Sequence, residues 1–230
     1  MVIKIKRLIP FGLMFVFLSC SKDTPTVNTP EIEKKFIALT FDDGPDSINT
    51  ERIIKILDKY NAKATFFMLG CQIKKYPNVV IKVNKSGHCV ANHTSSHLAN
   101  PDLTNEKYFE NITRTENLID SLCGKSNKLF RPPWGTMSIE QQKYLENNDF
   151  KIILWDIDSF DHDIVNQNIE GIINVVCSKA FNKCIVLFHD CDYTGNESRE
   201  NTILALPTII ETLYKEGYCF VRVDELNEIQ

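Results

Sequence analysis

Two adjacent carboxylates, Asp42 and Asp43, end an apolar run and stand directly before Gly44 and Pro45 in "ALTFDDGPD". Glycine and proline end strands and form turns, so a plain turn is one interpretation of this stretch. Two neighbouring carboxylates can also divide a hydrolytic reaction, because one can bind a metal ion while the other removes a proton from water. The partners supplied by the rest of the chain decide between these interpretations.

Two histidines, His93 and His97, lie four residues apart in "NHTSSH", directly after a predicted strand. If this segment is helical, the spacing places both imidazoles on one face, within reach of one ion. Two histidines with one carboxylate and an open position form the ligand set of a catalytic zinc site. A histidine pair on a solvent-exposed face is the simpler interpretation when the pair is taken alone.

Charged residues follow three further predicted strands. Arg131 opens "RPPWG", where the prolines predict a rigid loop, and its permanent charge could hold a carboxylate in the ionised form. Asp161 lies in the acidic segment "WDIDSFDH", and His189 ends the apolar run of "LFHDCD". Taken singly, these are interpreted as an exposed acidic loop and a structural histidine. Their occurrence at successive strand ends favours one shared site.

Short β-rich runs alternate with amphipathic segments from Lys35 onward. The predicted strands are residues 35–41, 64–69, 89–92, 128–131, 151–156, 184–189 and 218–223. Nearly continuous apolar strands separated by helices indicate parallel strands that are covered on both faces. Because no glycine-rich phosphate turn follows the first strand, we predict a single α/β domain, a distorted (β/α) barrel of about seven parallel strands. In such folds the chemistry lies at the C-terminal ends of the strands.

The motifs "TFDDGP", "HTSSH", "RPPWG", "DSFD" and "LFH", in this order, resemble the five motifs of the polysaccharide deacetylases, carbohydrate esterase family 4 with its NodB homology domain. The resemblance extends over residues 35–226 and is most specific in the first two motifs. It implies removal of acetyl groups from N-acetylglucosamine polymers such as peptidoglycan or chitin. Some family members act on acetylxylan instead, and a carbohydrate-binding protein without activity is a further alternative.

The resemblance also implies a role for each motif residue. A divalent metal, most commonly zinc, would be bound by Asp43, His93 and His97. Asp42 would be the general base, and Arg131 would orient it. His189 would be the general acid, and Asp161 would set its protonation.

Substrate contacts and one departure from the family pattern also follow from the resemblance. The substrate would contact Pro133, Trp134 and Leu187. The family commonly has tryptophan after the aspartate of the fourth motif, whereas here Asp161 is followed by His162. We expect this histidine to make the wall beside the general acid smaller and more polar, unless another aromatic residue closes the pocket.

Residues 1–20 have the pattern of an export signal. A positively charged segment, residues 1–7, precedes the apolar segment 8–18, which is too short to span a bilayer as a mature helix. Cys20 follows a small residue and resembles the lipidated cysteine of a bacterial lipoprotein signal, although Phe17 stands where leucine is usual. We therefore predict a cell-envelope lipoprotein, with simple cleavage and secretion as the alternative.

Residues 21–34 are polar and contain proline, so we predict a flexible linker before a deacetylase domain at 35–230. The net charge of −4, without a basic stripe, argues against nucleic acid as a partner. The predicted partner is the acetylated polysaccharide, with membrane contact only through the lipid anchor, and the protein is expected to be a monomer. Among the eight cysteines no Cys-x-x-Cys pair occurs, which argues against a zinc ribbon.

Overall fold

The described part of the chain comprises residues 34–97, 104–163, 165, 167–195 and 198–226 of a computed structural model. The predicted signal at 1–20, with Cys20, and the predicted linker up to residue 33 lie outside the described residues. No helix within the described ranges is both long enough and apolar enough to cross a membrane.

Eight strands and eight α-helices lie in these ranges, in a mainly alternating order. The strands are β1 (Lys35–Asp42), β2 (Ala64–Met68), β3 (Cys89–Asn92), β4 (Leu129–Phe130), β5 (Lys151–Ile152), β6 (Ile157–Asp158), β7 (Cys184–His189) and β8 (Tyr218–Phe220). The helices are α1 (Asn49–Lys59), α2 (Gly70–Lys75), α3 (Pro77–Lys85), α4 (Asn105–Cys123), α5 (Ile139–Asn147), α6 (Ile169–Lys179), α7 (Glu200–Lys215) and α8 (Val223–Leu226).

All strand pairs in the sheet are parallel, in the order β5-β4-β3-β2-β1-β7-β6. The strand β8 pairs with the beginning of β1, along Lys35–Ile37. Because β5 and β6 are neighbours in the chain but lie at opposite ends of this order, the barrel is open between them. The prediction of a distorted (β/α) barrel is confirmed.

The strand predicted at 151–156 is wrong in its extent, because this segment crosses the opening of the barrel. Ile153 N still donates to Phe130 O of β4, at 2.9 Å, whereas Asp156 N donates to Ile185 O of β7, at 2.9 Å. The two ends of the segment therefore pair with different strands. Leu154, between them, has an exposed fraction of 48%.

Alternation along β1 divides its side chains between two environments. Ile37, Leu39 and Phe41 belong to the large apolar cluster shared with helices such as α1 and α7. Ala38 belongs to a second cluster inside the barrel, which α8 closes at one end through Val223. Since successive side chains of a strand point to opposite faces, Thr40 and Asp42 also face the barrel interior.

Helix boundaries follow local sequence signals. In α1 the buried residues Thr50, Ile53, Ile54 and Leu57 have the spacing of one helical face. At the start of α4, Thr104 is the N-cap and its hydroxyl accepts from Lys107 N. These helices cover the sheet and leave the C-terminal ends of its strands accessible.

Candidate active site

Asp42 and His189 lie next to each other across two parallel strands. They are paired residues in the register of β1 and β7, at the C-terminal end of both strands. Asp43 follows with a φ angle of 75°, a left-handed conformation that is rare for a non-glycine residue. This turn directs the side chains of Asp42 and Asp43 to different partners.

The loop after β3 brings His93 and His97 together. The segment is not helical, so the helical spacing considered for this pair does not apply; Thr94 and His97 have φ angles of 69° and 53°. Thr94 N donates to Asn92 Oδ1 at 3.0 Å, and His97 N donates to Thr94 Oγ1 at 3.2 Å. The two imidazole centres are 5.1 Å apart. The two imidazoles therefore come together through a strained loop conformation that side-chain hydrogen bonds hold, and not through helical spacing.

Asp43, His93 and His97 form a group that fits a divalent metal. Their ligand atoms all lie within 4.8 Å of one another. Asp43 Oδ1 is 3.5 Å from His93 Nε2 and 3.3 Å from His97 Nε2, and this buried oxygen has no hydrogen-bond partner. Two imidazoles and one carboxylate leave an open position, as in catalytic zinc sites.

The protonation of the two imidazoles also suits metal binding. His93 Nδ1 lies 2.7 Å from Arg131 O, a carbonyl that can only accept, so Nδ1 carries the proton and Nε2 offers its lone pair. Burial lowers the pKa of His97 to about 3, with a smaller contribution from His93, so His97 is neutral at pH 7. Burial also raises the pKa of Asp43, a cost that a bound cation would offset.

Arg131 is completely buried in the barrel interior and binds Asp42. Its Nη1 atom donates to Asp42 Oδ1 at 2.7 Å and to Thr40 Oγ1 at 2.8 Å. Its Nε and Nη2 atoms donate to the carbonyls of Ile153 and Leu154. The guanidinium therefore fixes one oxygen of Asp42. Asp42 Oδ2 lies 3.8 Å from His93 Nε2, on the side of the metal group.

His189, which is 15% exposed, forms a hydrogen-bonded pair with the buried Asp161. His189 Nδ1 lies 2.7 Å from Asp161 Oδ1, while Asp161 Oδ2 accepts from His189 N at 2.8 Å and from Thr202 Oγ1 at 2.7 Å. Burial alone would lower the pKa of His189, but the Asp161 carboxylate outweighs it and raises this pKa to about 9. The imidazolium is therefore the main form at pH 7, with Nε2 left for a group in the cavity.

A cavity of about 390 Å³ joins these groups. Its lining includes Asp42, Asp43, His97, Trp134, Leu187 and His189. Pro133 is buried and is not part of this lining. Trp134 has an exposed fraction of 66%, and its ring lies 5.1 Å from that of His97, so an aromatic face beside the metal group is open to a substrate.

The sequence reasoning missed two aromatic residues of the cavity. Tyr193 lies against His97 with 4.6 Å between ring centres, on a segment that follows the fifth motif. Trp155 also lines the cavity and packs on Gly135, where an added Cβ would lie 2.9 Å from Trp155 Cη2. Tyr193 lies close in sequence to His189, and Trp155 lies close to the fourth motif, so both could have been considered as candidates.

Two charged residues near the motifs were also missed. Arg199 is buried and lines the cavity. Asp190 follows His189 directly and is completely buried behind Gly44, where an added Cβ would overlap its carboxyl group. The Thr50 hydroxyl donates to Asp190 Oδ2 at 2.5 Å, and burial raises the pKa of Asp190 to about 7. Asp190 therefore packs against Gly44 and supports the turn that carries Asp42 and Asp43.

Comparison with known proteins identifies the family. Residues 29–153 match the family model for polysaccharide deacetylase, a range that includes the first three motifs. A peptidoglycan-N-acetylglucosamine deacetylase of Bacillus cereus is 37% identical over 84% of this chain and 88% of its own length. The peptidoglycan-N-acetylmuramic acid deacetylase PdaC of Bacillus subtilis is 32% identical over 90% of this chain, which covers 42% of that longer protein.

The fold agrees with this relationship. A crystal structure of a peptidoglycan N-acetylglucosamine deacetylase, in complex with an N-hydroxybenzamide, superposes with a TM-score of 0.80 and 33% identity. The match covers 86% of this chain and 91% of that chain. The chain therefore belongs to the polysaccharide deacetylase family of hydrolases, as its five motifs predict.

Proposed function

We propose that the protein removes acetyl groups from N-acetylglucosamine-containing polysaccharide, with peptidoglycan as the first candidate and a chitin-like polymer as the second. The observation that carries this proposal is the convergence of a metal-ligand group, the buried Asp42 carboxylate and the His189–Asp161 pair on one cavity. Relatives with similarity over most of this chain are named for deacetylation of peptidoglycan, which supports the same substrate class here.

Asp43, His93 and His97 would hold the divalent metal, for which zinc suits two imidazoles and one carboxylate. When bound, the metal polarises the acetyl carbonyl and lowers the pKa of a coordinated water to about 7. The peptide N–H groups near Asp43 and Gly44 are positioned in the same turn and could stabilise the developing oxyanion.

Asp42 acts as the general base in this proposal. Arg131 fixes its Oδ1 atom at 2.7 Å, which leaves Oδ2, on the side of His93, to accept the proton of the attacking water. Because the guanidinium is buried and also bound to backbone carbonyls, Asp42 cannot rotate without losing an ion pair in the barrel interior. Arg131 is therefore a positioning residue.

His189 acts as the general acid. Its Nδ1–H is held by Asp161, so Nε2–H is the proton available to the sugar nitrogen when the carbon–nitrogen bond breaks. The products are acetate, which gains an oxygen from water, and the free amino sugar. Trp134, exposed beside His97, offers a face for a sugar ring.

The experiment that tests the activity is acetate release from peptidoglycan, chitooligosaccharides and acetylxylan in parallel, with and without a chelator. We expect release from the N-acetylglucosamine polymers, loss of activity with the chelator and recovery with zinc. Release from acetylxylan alone would assign the protein as an O-deacetylase. Binding of these polymers without release from any of them would assign it as a carbohydrate-binding protein without activity.

The base assignment has its own test. Asp42→Asn should abolish turnover while the metal content stays near that of the wild type, because Asp42 is outside the three-ligand group. Asp46→Asn is a matched control in the same loop, since the Asp46 carboxylate accepts from Ile48 N and Asn49 N and an amide oxygen can accept both bonds. Retained activity in Asp42→Asn would contradict the assignment.

We also propose export of the protein to the cell envelope, with the layout of signal 1–20, linker 21–34 and domain 35–230. Lipidation of Cys20 would anchor a monomeric domain to a membrane by lipid alone. Substitution Cys20→Ser should release the protein from the membrane fraction of producing cells. If Cys20→Ser leaves the distribution unchanged, the secreted form is the correct alternative.

A further inference from the structure

A second group of possible metal ligands lies beside the proposed general acid. Asp161, His162 and His189 each offer one ligand atom, and these atoms all lie within 4.8 Å of one another. The His162 ring centre is 5.4 Å from that of His189, at an interplanar angle of 72°. The His162 side chain is 47% exposed, whereas Asp161 is buried, so an ion could reach the group from the cavity side.

We propose that this group is a second, inhibitory zinc site, separate from the site of Asp43, His93 and His97. In the metal-free pair a proton lies between Asp161 Oδ1 and His189 Nδ1, which are 2.7 Å apart. Zinc binds nitrogen and oxygen at about 2.0–2.2 Å, so two tetrahedral ligands lie about 3.3 Å apart. Replacement of the proton by zinc therefore needs these two atoms to separate by only about half an ångström.

The hydrogen bonds that hold Asp161 allow zinc to replace the proton without a change in the conformation of the loop. Asp161 Oδ2 keeps its bonds from His189 N and Thr202 Oγ1, at 2.8 and 2.7 Å, while Oδ1 changes its partner. The carboxylate therefore stays in place and charged. A bound cation would replace the positive charge that is lost when the His189 imidazolium gives up its proton.

His162 supplies the ligand that turns a bonded pair into a three-ligand group. Its Nδ1 atom lies 4.0 Å from Asp158 Oδ1, so Nδ1–H can turn to this carboxylate and leave Nε2 for the metal. A carboxylate behind the second ring nitrogen is the usual arrangement for metal-binding histidines. His162 is half-exposed, and its side chain can move toward the pair more readily than the buried groups can.

The binding step balances without any redox partner. The His189 Nδ1–H bond breaks, the proton leaves to solvent, and zinc forms bonds to His189 Nδ1, Asp161 Oδ1 and His162. The remaining Nε2–H then belongs to a neutral imidazole, which is a far weaker acid than imidazolium. If His189 is the general acid, as the proposed function holds, excess zinc stops protonation of the leaving amine.

Zinc binding to the full chain tests the site independently of activity. Protein loaded with one equivalent of zinc is titrated with further zinc by calorimetry, and bound zinc is counted after equilibrium dialysis. We expect a second, weaker equivalent in the wild type. His162→Phe keeps an aromatic ring but no ligand, and it should weaken the second equivalent at least tenfold, since loss of even a supporting partner of a ligand costs about 10–100-fold.

Cys71→Ser is the matched control, because Cys71 is exposed and a thiolate is a competing zinc ligand. This variant should keep the second equivalent with unchanged affinity. Loss of the second equivalent in Cys71→Ser, or its full retention in His162→Phe, would overturn the proposal. Circular dichroism of both variants verifies that they are folded.

Acetate release measured against zinc concentration connects the site to catalysis. In the wild type, activity should rise as the first site fills and fall as the second fills, whereas His162→Phe should rise without the fall. An unchanged fall in His162→Phe would overturn the inhibitory role. Complete absence of activity at every zinc concentration would contradict the proposed function instead. The number of zinc ions bound in equilibrium dialysis would still test the second site in that case.

Discussion

Arg131→Met is predicted to destabilise the metal-free protein by about 3 to 5 kcal/mol. The substitution removes one partner of an ion pair whose side chains are 0% and 5% exposed, and it leaves the Asp42 carboxylate buried without a counter-charge. It also removes the donors to the carbonyls of Ile153 and Leu154. Methionine keeps much of the apolar contact with Phe67, over which the guanidinium lies at 4.1 Å, so lost packing contributes little.

Urea unfolding at pH 7 in the presence of a chelator measures this effect, with circular dichroism and tryptophan fluorescence as two probes. The matched control is Arg114→Met, which breaks an exposed ion pair with Glu110 one helical turn away. Exposed pairs of this kind contribute about 0.3–0.5 kcal/mol, so the two arginine variants should differ by a factor of roughly ten in their effect.

A double-mutant cycle with Asp42→Asn separates the pair from its surroundings. Asp42→Asn alone leaves the buried charge of Arg131 with a neutral acceptor, whereas the double variant removes both charges. We expect the double variant to be about 2 kcal/mol more stable than the sum of the single effects predicts, within the range found for contacting residues. Additive effects, or a loss below 1 kcal/mol in Arg131→Met, would show that the buried pair is not what holds Asp42.

Three further predictions concern the same cavity. Gly44→Ala should destabilise the protein by about 1–3 kcal/mol and weaken zinc binding, because its Cβ would overlap the Asp190 carboxyl and shift the metal-binding turn. Unfolding measures the first effect and zinc titration the second. Asp161→Asn should lower the pKa of His189 from about 9 in NMR titration of the metal-free protein, since the Asp161 carboxylate raises this pKa most and only the weaker effects of Asp43 and Asp42 then oppose burial. The stabilisation by this pair is complete below pH 6.5 and is lost as the pH rises through about 9, so the stability difference from the wild type should narrow over that window. Zinc at 100 times its dissociation constant for the wild type should stabilise the wild type by about 2.7 kcal/mol. The same zinc concentration should stabilise His93→Gln much less, and thermal unfolding measures the difference.

The positions of the site residues were predictable where they depend on strand ends. An apolar run followed by polar residues marks the C-terminal end of a parallel strand, and this rule alone places Asp42 and His189 at one edge, where the structure pairs them. Alternation along β1 also predicts that Asp42 and Thr40 share a face, the face on which Arg131 lies.

Contacts that depend on loop conformation could not be predicted from the sequence. The helical condition considered for His93 and His97 is not met, and the sequence could not show this because short-range patterns do not report positive φ angles at non-glycine residues. The segment from Ile153 to Asp156 has strand-like composition, yet its two ends pair with different strands, which only the closure of the barrel decides. Asp190 was missed because a buried acid beside a glycine has no signature in spacing.

The loop after β3 shows how the fold supports strain at the site. Thr94 and His97 both have positive φ angles, a conformation that costs energy unless the surroundings impose it. Side-chain hydrogen bonds support it here: Asn92 Oδ1 accepts from Thr94 N, and Thr94 Oγ1 accepts from His97 N. Asn92 Nδ2 in turn donates to Ile112 O and to a Glu116 oxygen, at 2.9 and 2.8 Å. Because Asn92 is completely buried and bound to α4, this helix supports the start of the loop that carries His93 and His97. Hydrogen bonds from the barrel and from α4 therefore support the loop that carries two of the three metal-ligand residues.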